Sequence, residues 1–199
     1  MPAQPRPYIS PEEYLEQEDR AEFRSEYFDG EVFAMAGASW NHSRIMTNLV
    51  KELTSQMGDG PCEIVFHDTR VQAGSESTYL YPDIVGICSP PLFSGPKNNI
   101  LLNPELIIEV LSPSTEKIDR GAKFLRYREM PSIQEYVMVS QEKLLVEHYI
   151  RKPESEWNLK TYQSLADELH LLCGDCHVLL ERIYDRIQFD ITPSLRIHK

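Results

Sequence analysis

The sequence predicts an α/β (α+β) fold in which strands and amphipathic helices alternate along a single domain. Three observations favour it: a strand buried on both faces at residues 104–111, a helical segment at 115–129 directly after it, and a tight hairpin signal at Asp29-Gly30 between aromatic and β-branched flanks. The buried strand is recognised from apolar side chains on both of its faces, namely Leu106, Ile107, Ile108, Val110 and Leu111.

Two helices are predicted before the buried strand. Ser10, Pro11 and Glu13 form a capping signature, which predicts a short helix that ends near Asp19 or Arg20. Apolar residues at a spacing of three and four predict a second helix over residues 41–57, which Gly58 ends. The other predicted strands cover residues 62–72, 79–88, 135–140, 144–150, 157–163, 169–172 and 178–180, with a loop at 89–99 and a final helical turn at 183–187.

Length and composition predict one soluble domain. We expect residues 1–8 to form a disordered or loosely held, proline-rich terminus and residues 9–199 to form a single domain. The 41% hydrophobic fraction is ordinary for a globular protein, and the sequence contains neither an apolar run of membrane-spanning length nor a signal-peptide pattern, so a cytoplasmic protein with no membrane partner is expected. Four cysteines are too few for a disulfide scaffold, which predicts reduced thiols.

The formal net charge of -11 argues against a general nucleic-acid binder, because such proteins usually present a basic face. It is compatible with a local basic strip. It is also compatible with a metal site, since clustered carboxylates attract divalent cations.

Glu109 is the one charged residue inside the buried strand. A carboxylate in that position is costly unless a cation, a metal or a hydrogen-bond donor meets it, and a core arginine would also suffice. If the strands around Asp83 and Glu109 pair in antiparallel fashion about a loop near Pro96, the two carboxylates lie opposite each other. Such a pair implies a divalent metal, a basic side chain or a shared proton.

The helix after the buried strand offers the basic side chain. The helical spacing of three and four residues puts four side chains on one face of this helix: Glu116, Arg120, Lys123 and Tyr127. We expect Lys123 to reach the carboxylate pair.

Three segments of the sequence resemble the Uma-two family of restriction endonucleases, within the PD-(D/E)XK nuclease superfamily. These segments are residues 81–83 (Tyr-Pro-Asp), 104–115 (Pro-Glu-Leu-Ile-Ile-Glu-Val-Leu-Ser-Pro-Ser-Thr) and 119–127 (Asp-Arg-Gly-Ala-Lys-Phe-Leu-Arg-Tyr). Upstream, residues 24–31 are similar to the family's glutamate-containing hairpin, and residues 41–45 are similar to its helix start. The resemblance covers about Ile9 to Ile187.

The resemblance implies a restriction-endonuclease-like mixed β-sheet core flanked by helices, with extra β-hairpins. It implies that Asp83 and Glu109 bind Mg²⁺ or Mn²⁺, that Glu26 is an accessory acidic residue, and that the reaction is hydrolysis of DNA phosphodiester bonds. The superfamily lysine two residues after the acidic strand residue is absent, because position 111 is Leu, and the resemblance moves that role to Lys123.

Predicted substrate contacts complete the site. Arg120, Tyr127 and His42 are the candidate substrate-binding residues. We expect DNA to meet a local basic strip formed by Lys117, Arg120, Lys123, Arg126 and Arg128.

A second hypothesis is a catalytically inactive nuclease fold that serves as an interaction or oligomerisation module. The net charge and the displaced lysine motivate it. Under either hypothesis, residues 136–139 and 144–146 are predicted to be exposed strands that pair between chains in a homodimer.

The segment from Cys173 to His177 has the spacing of a covalent haem site, and its cysteine pair could indicate a redox or zinc site. The predicted compartment, the position at a strand turn and the lack of a second cysteine pair argue against all three. His67, beside Asp68 in a predicted strand, is interpreted as structural.

Overall fold

The computed structural model describes residues 8–35, 37–74, 77–95 and 97–189. Most of the predicted loosely held terminus (1–8) and the last residues of the predicted domain (190–199) lie outside the described residues. None of the helices in the described ranges combines the length and the apolar character needed to cross a membrane.

The described elements alternate along the chain as the sequence predicts. Helices α1–α5 comprise Pro11–Glu18, Trp40–Met57, Glu116–Ile118, Phe124–Arg128 and Leu180–Ile183, with a π-helical turn at Asp119–Lys123 and 3₁₀ turns at Pro153–Ser155 and Cys173–Asp175. Strands β1–β14 comprise Ser25–Phe28, Glu31–Ala34, Glu63–Phe66, Arg70–Gln72, Thr78–Leu80, Ile84–Ile87, Phe93–Ser94, Ile100–Leu101, Leu106–Leu111, Glu135–Ser140, Val146–Arg151, Trp157–Tyr162, Glu168–Leu171 and Cys176–Leu179.

Within those ranges the strands form two mixed sheets and a separate hairpin. The first sheet has the order β2-β1-β5-β4-β8-β7, the second has the order β12-β11-β10-β9-β6-β3, and β13 pairs with β14. In the second sheet β9 runs parallel to β10, and the helical segment 116–128 provides the crossover that a parallel pair requires. The predicted mixed sheet flanked by helices is therefore confirmed.

Strand β9 is buried on both faces because helices cover both sides of the second sheet. Leu106, Ile108 and Val110 pack with α2, α5 and the β13–β14 hairpin. Ile107 and Leu111 point the other way and pack with α4 and β10. Since alternate residues of a strand face opposite sides, Glu109 shares the face that meets the π-helical turn and α4.

Local signals set the ends of the early elements. Ser10 Oγ accepts a hydrogen bond from Glu13 N–H at 3.2 Å, which confirms the predicted cap of α1. The β1–β2 hairpin turns at Asp29 and Gly30, whose φ angles of 44° and 101° are in the left-handed region that such a turn requires. Helix α2 begins one residue before the predicted start, after Ser39, and ends at Met57 as predicted.

Two long predicted strands are each divided between the two sheets, which corrects the prediction. Residues 62–72 form β3 and β4, separated by His67 and Asp68 with φ angles of 62° and 47°. Residues 79–88 contribute to β5 and β6, which are separated at Pro82, a residue with no N–H for a ladder hydrogen bond. At His67 and Asp68 the chain passes from the second sheet to the first, and at Pro82 it returns to the second sheet. These two changes bring the first sheet beside the ends of β6 and β9.

The expectation of reduced thiols is wrong for two of the four cysteines. Cys62 and Cys88 form a disulfide that links the ends of the paired strands β3 and β6. Cys173 and Cys176 are free and buried, and Cys173 Sγ lies 3.5 Å from Cys88 Sγ. Burial raises the pKa of the Cys173 thiol to about 12.

The strands predicted to pair between chains are internal, so that detail is also wrong. β10 lies between β9 and β11, and all six of its residues are buried. β11 lies between β10 and β12. The ends of the second sheet are instead β3 and β12.

Candidate functional site

Asp83 stands at the corner where the chain enters β6. β6 and β9 are antiparallel with Ile84 opposite Ile108, so the register continues to place Asp83 opposite Glu109. The predicted antiparallel pairing of these two strands, symmetric about position 96, is confirmed. Asp83 Oδ2 accepts a hydrogen bond from the N–H of Val110 at 2.7 Å, which fixes the carboxylate against β9.

Glu109 meets Lys123, as the sequence predicts. The Lys123 ammonium donates to Glu109 Oε1 at 3.1 Å, and both side chains are almost fully buried. The partner of Glu109 is therefore a lysine from the crossover helix, and the alternative of a core arginine is excluded for this contact.

Lys123 also contacts two further carboxylates. Its Nζ lies 2.8 Å from Glu26 Oε1 and 3.1 Å from Asp119 Oδ1. Glu26 comes from β1 in the first sheet, and its Oε1 also accepts a hydrogen bond from the Tyr81 N–H at 3.3 Å. One ammonium thus joins carboxylates from both sheets and from its own helix.

The contact with Asp119 was missing from the sequence interpretation. The signal was present as an acid and a base four residues apart on one helix, a spacing that commonly forms an ion pair. Asp119 and Lys123 are the first and last residues of the π-helical turn, a distortion that occurs frequently at functional sites.

Burial and charge oppose each other in this cluster. Burial raises the pKa of Glu109 well above its ordinary value, against the pull of Lys123 in the other direction. Burial raises the pKa of Glu26 as well. For Lys123, burial favours the neutral amine, but Glu109, Glu26 and Asp119 outweigh it and hold the pKa well above the ordinary lysine value.

His42 approaches Asp83 from the first turn of α2. The N–H of His42 donates to the capping Ser39 Oγ at 3.1 Å, which fixes the start of the helix. His42 Nε2 lies 3.2 Å from Asp83 Oδ1. Burial lowers the pKa of His42, but the hydrogen bond and the negative charge of Asp83 outweigh it, and the net shift from 6.5 is upward.

These residues line one large cleft with a volume of about 1310 Å³. Its floor includes Glu26, Asp83, Glu109 and Lys123, with His42 on its wall. Basic side chains at the cleft are Arg24, Lys51 and His67, and exposed apolar side chains are Phe23, Met35 and Phe66.

Two predicted substrate contacts do not line this cleft. Tyr127 is fully buried in the core, and its hydroxyl has no hydrogen-bond partner among the described residues. Arg120 binds Glu116 at 2.8 Å and also pairs with Glu147.

The predicted basic strip is not a continuous surface. Lys123 is enclosed by carboxylates, and Arg126 pairs with Asp29 and Glu129. Helical spacing identified neighbours along the helix, but it did not predict the acidic residues that other elements bring to them.

The donor chemistry at the cleft floor fits a hard divalent cation. Asp83, Glu109, Glu26 and Asp119 carry four carboxylates against the single ammonium of Lys123, and carboxylate oxygen is the ligand type that Mg²⁺ and Mn²⁺ prefer. In the described ranges these carboxylates do not form a group of three with ligand atoms within 4.8 Å of one another.

Comparison with known proteins identifies relatives of the whole domain. The Uma2 family, described as "Putative restriction endonuclease", matches residues 11–174. Two uncharacterized proteins of Synechocystis sp. (strain ATCC 27184 / PCC 6803 / Kazusa) are similar to this chain. The protein slr1290 is 36% identical, and the match covers 94% of this chain and 97% of slr1290. The protein sll1609 is 39% identical, and the match covers 74% of this chain and 83% of sll1609.

A solved structure shares the fold. It is the crystal structure of a "putative nuclease belonging to DUF820" from Anabaena variabilis ATCC 29413, with a TM-score of 0.71 and 19% identity, covering 88% of this chain and 97% of that chain. The restriction-endonuclease-like architecture expected from the sequence is therefore confirmed. The family model matches most of the chain, and both Synechocystis relatives are more than 30% identical to it. The chain therefore belongs to the Uma2 family.

Proposed function

We propose that this protein is a divalent-metal-dependent endonuclease that hydrolyses phosphodiester bonds in DNA. The observation that carries the proposal is the position of Asp83 opposite Glu109 at the floor of the cleft, with Lys123 bonded to Glu109. Restriction-endonuclease-like families generally use divalent metals, which agrees with this donor set.

Asp83 and Glu109 are the proposed ligands for Mg²⁺ or Mn²⁺. When bound, such an ion would neutralise charge on the scissile phosphate and make a water molecule more acidic. The N–H of Val110 holds Asp83, and Lys123 holds Glu109, so both carboxylates are oriented before any cation arrives.

Lys123 is proposed to keep Glu109 and Glu26 ionised. Its ammonium lies within 3.1 Å of three carboxylates, so a direct contact with the phosphate would require at least one of these contacts to be given up. Without this ammonium, buried Glu109 would take up a proton and lose its affinity for a cation.

His42 is proposed to meet the substrate at the wall of the cleft. Its Nε2 is bonded to Asp83 in the cation-free protein, and the raised pKa favours the protonated form. Binding of a cation at Asp83 would compete with this contact. Because Asp83 is what raises the pKa of His42, the released imidazole would favour its neutral form and could accept a hydrogen bond from the substrate or from water.

DNA would approach a cleft that has few positive charges. Arg24 and Lys51 are the basic side chains proposed to contact the phosphate backbone. We therefore expect weak binding that falls as the salt concentration rises, because each phosphate contact releases counterions.

The test is cleavage of supercoiled plasmid and of single-stranded DNA in Mg²⁺ or Mn²⁺. Asp83→Asn and Glu109→Gln preserve shape and remove one charge each, and we expect each to reduce cleavage by about 100-fold or more, the loss typical for one electrostatic stabiliser. Asp59→Asn is the matched control, because Asp59 is exposed just beyond α2. Full activity in both site variants would reject the proposed site.

A second candidate is an inactive nuclease fold that serves as an interaction module. The closed set of three carboxylates around Lys123 favours it, because the lysine is satisfied without substrate. It predicts that Mg²⁺ and Mn²⁺ leave the melting temperature of the wild type unchanged. Under the endonuclease proposal the ions raise it, and Asp83→Ala abolishes the rise.

A homodimer remains a prediction under both candidates. In the second sheet, the edge strands that could pair between chains are β3 and β12. Light scattering of the purified protein would give the mass of the assembly, and a Lys or Pro introduced into β12 would weaken a dimer formed there.

A further inference from the structure

The β13–β14 hairpin brings two histidines together outside the cleft. His170 and His177 are directly opposite each other in the antiparallel register, and their rings stack with centroids 4.2 Å apart and an interplanar angle of 12°. Their neighbours Leu169, Leu171, Cys176 and Val178 point inward and are buried, so strand alternation directs both imidazoles outward.

Two carboxylates meet these imidazoles. Asp175, in the turn before β14, places Oδ1 at 2.8 Å from His170 Nε2 and 3.8 Å from His177 Nε2. Glu168 Oε2 lies 3.0 Å from Nδ1 of His177. Both ring nitrogens of His177 therefore face a carboxylate, one on each side of the ring.

The spacing of these atoms suits a tetrahedral transition-metal ion. Zinc bonds of 2.0–2.2 Å at the tetrahedral angle separate neighbouring ligand atoms by about 3.3 Å. The separations of 2.8 and 3.8 Å lie on either side of that value, and one ligand atom from each of the three residues lies within 4.8 Å of the others. Because a metal lies in the plane of each imidazole that binds it, the two stacked rings must turn about their Cβ–Cγ bonds before both Nε2 lone pairs meet at one ion.

Glu168 fixes the ring of His177 in the way that metal sites commonly use. A carboxylate that accepts the proton on one imidazole nitrogen leaves the lone pair of the other nitrogen free to bind a metal. Because Glu168 is at Nδ1, the lone pair of Nε2 is left free on the side of the ring where Asp175 Oδ1 lies.

The backbone of the hairpin is held in place at His177. The His177 N–H donates to Gln56 Oε1 at 2.8 Å, and Gln56 Nε2 donates to the His177 carbonyl at 2.9 Å. Gln56 belongs to the last turn of α2, so the histidine pair sits on a rigid support, which favours a preformed site.

We propose that His170, His177 and Asp175 bind a divalent ion of the zinc class, with Glu168 as the residue that orients His177. The fourth position is open to water or to a ligand from another molecule. Imidazole and carboxylate together suit Zn²⁺ better than Mg²⁺, so this site differs chemically from the pair of carboxylates, Asp83 and Glu109, in the cleft.

The Cys173–His177 segment contributes to this site without its cysteines. Both cysteines are buried, and a zinc site built on them would lack the second cysteine pair. The ligands are instead the histidine and aspartate of the same segment, completed by His170 from the opposite strand, a partner that cysteine spacing does not reveal.

The test is a calorimetric titration of Zn²⁺ into metal-free protein that carries Asp83→Asn and Glu109→Gln, which removes the carboxylate pair of the cleft. The visible spectrum of bound Co²⁺ supports it, and the variants below are made in the same background. We expect one ion per chain in a tetrahedral field. His177→Ala and His170→Ala should abolish binding, and Glu168→Gln should weaken it about 10- to 100-fold. All three side chains are at least partly exposed, and the melting temperature of each metal-free variant checks that the fold is intact.

Two controls separate this site from other ligands in the chain. Asp83→Asn/Glu109→Gln protein should bind Zn²⁺ here as the wild type does, and the Co²⁺ spectrum should lack a thiolate charge-transfer band. Zn²⁺ binding that survives His177→Ala, a thiolate band, or the absence of saturable binding in the wild type would each overturn the proposal. The outcome does not depend on nuclease activity.

Discussion

Glu26 and Glu109 belong to different β-sheets, yet their carboxylates share the ammonium of Lys123, at 2.8 and 3.1 Å. The crossover helix that carries Lys123 packs on the second sheet, and the first sheet reaches the same point because the chain changes sheets at Pro82. The cluster therefore ties both sheets and the helix together, so the proposed site is also a point on which the stability of the fold depends.

Replacement of Lys123 by Met should strongly destabilise the fold. The variant leaves Glu26, Glu109 and Asp119 buried without a cation, which typically costs about 3–5 kcal/mol. Urea unfolding would measure the loss. Lys117→Met, at an exposed position of the same helical segment, is the control and should change the free energy of unfolding by less than about 0.5 kcal/mol.

The defect of Lys123→Met should also depend on pH. Without the ammonium, burial raises the pKa of Glu109 further, so the folded state binds a proton more readily than the unfolded state. Stability is then present at low pH and is lost as the pH rises through the folded-state pKa. A defect that is no larger at about pH 8 than at about pH 5 would contradict this account.

The pKa of His42 in metal-free protein should lie above 6.5 because of Asp83. A raised folded-state pKa stabilises the fold below pH 6.5, and that contribution disappears as the pH rises through the folded value. In Asp83→Asn the opposing effect of burial prevails, and the pKa should fall below 6.5. An NMR titration of the imidazole measures both values, and Asp68→Asn, which removes an exposed carboxylate at the same cleft, should leave the His42 value unchanged.

Reduction of the Cys62–Cys88 disulfide should destabilise the protein. The bridge closes a loop with a sequence separation of 26, and the loss of loop-closure entropy from the unfolded chain corresponds to about 3.5 kcal/mol. The midpoint of urea unfolding should therefore fall when reductant is added. The double variant Cys62→Ser/Cys88→Ser should unfold at the same urea concentration with and without reductant, and a wild type equally indifferent to reductant would refute the role of the bridge.

Gly86 and Gly121 offer a matched pair of alanine substitutions with opposite expected signs. A Cβ at Gly86 would lie 2.9 Å from Leu106 Cβ and 2.8 Å from Cys173 Sγ, so Gly86→Ala should cost about 1–3 kcal/mol by overpacking. At Gly121, in the helical segment, a Cβ meets nothing within 4 Å in the described part of the chain. Gly121→Ala should stabilise by up to about 1 kcal/mol. Thermal unfolding compares the two, and a stabilised Gly86→Ala would show that the β6–β9 contact is looser than these distances indicate.

Local sequence patterns predicted the parts of the fold that depend on neighbouring residues. The caps of α1 and the Asp29-Gly30 hairpin follow from side-chain and backbone preferences within four residues. The register of β6 against β9 followed from the midpoint of their connection, and it placed Asp83 opposite Glu109 correctly. The points at which the chain passes from one sheet to the other could not be predicted in this way. The alternation of apolar and polar residues along a strand is the same whichever sheet the strand joins.

By itself, the sequence determined that Glu109 must meet a cation, a metal or a hydrogen-bond donor, because a charge inside a strand that is apolar on both faces has no water to stabilise it. It also determined that a helix with Lys123 follows that strand. Only the tertiary structure decided that Lys123 meets three carboxylates, that Tyr127 and Arg120 are turned away from the cleft, and that Cys62 and Cys88 are joined. The physical reason is that these contacts join residues distant in the chain, and their geometry is set by how the sheets and helices pack.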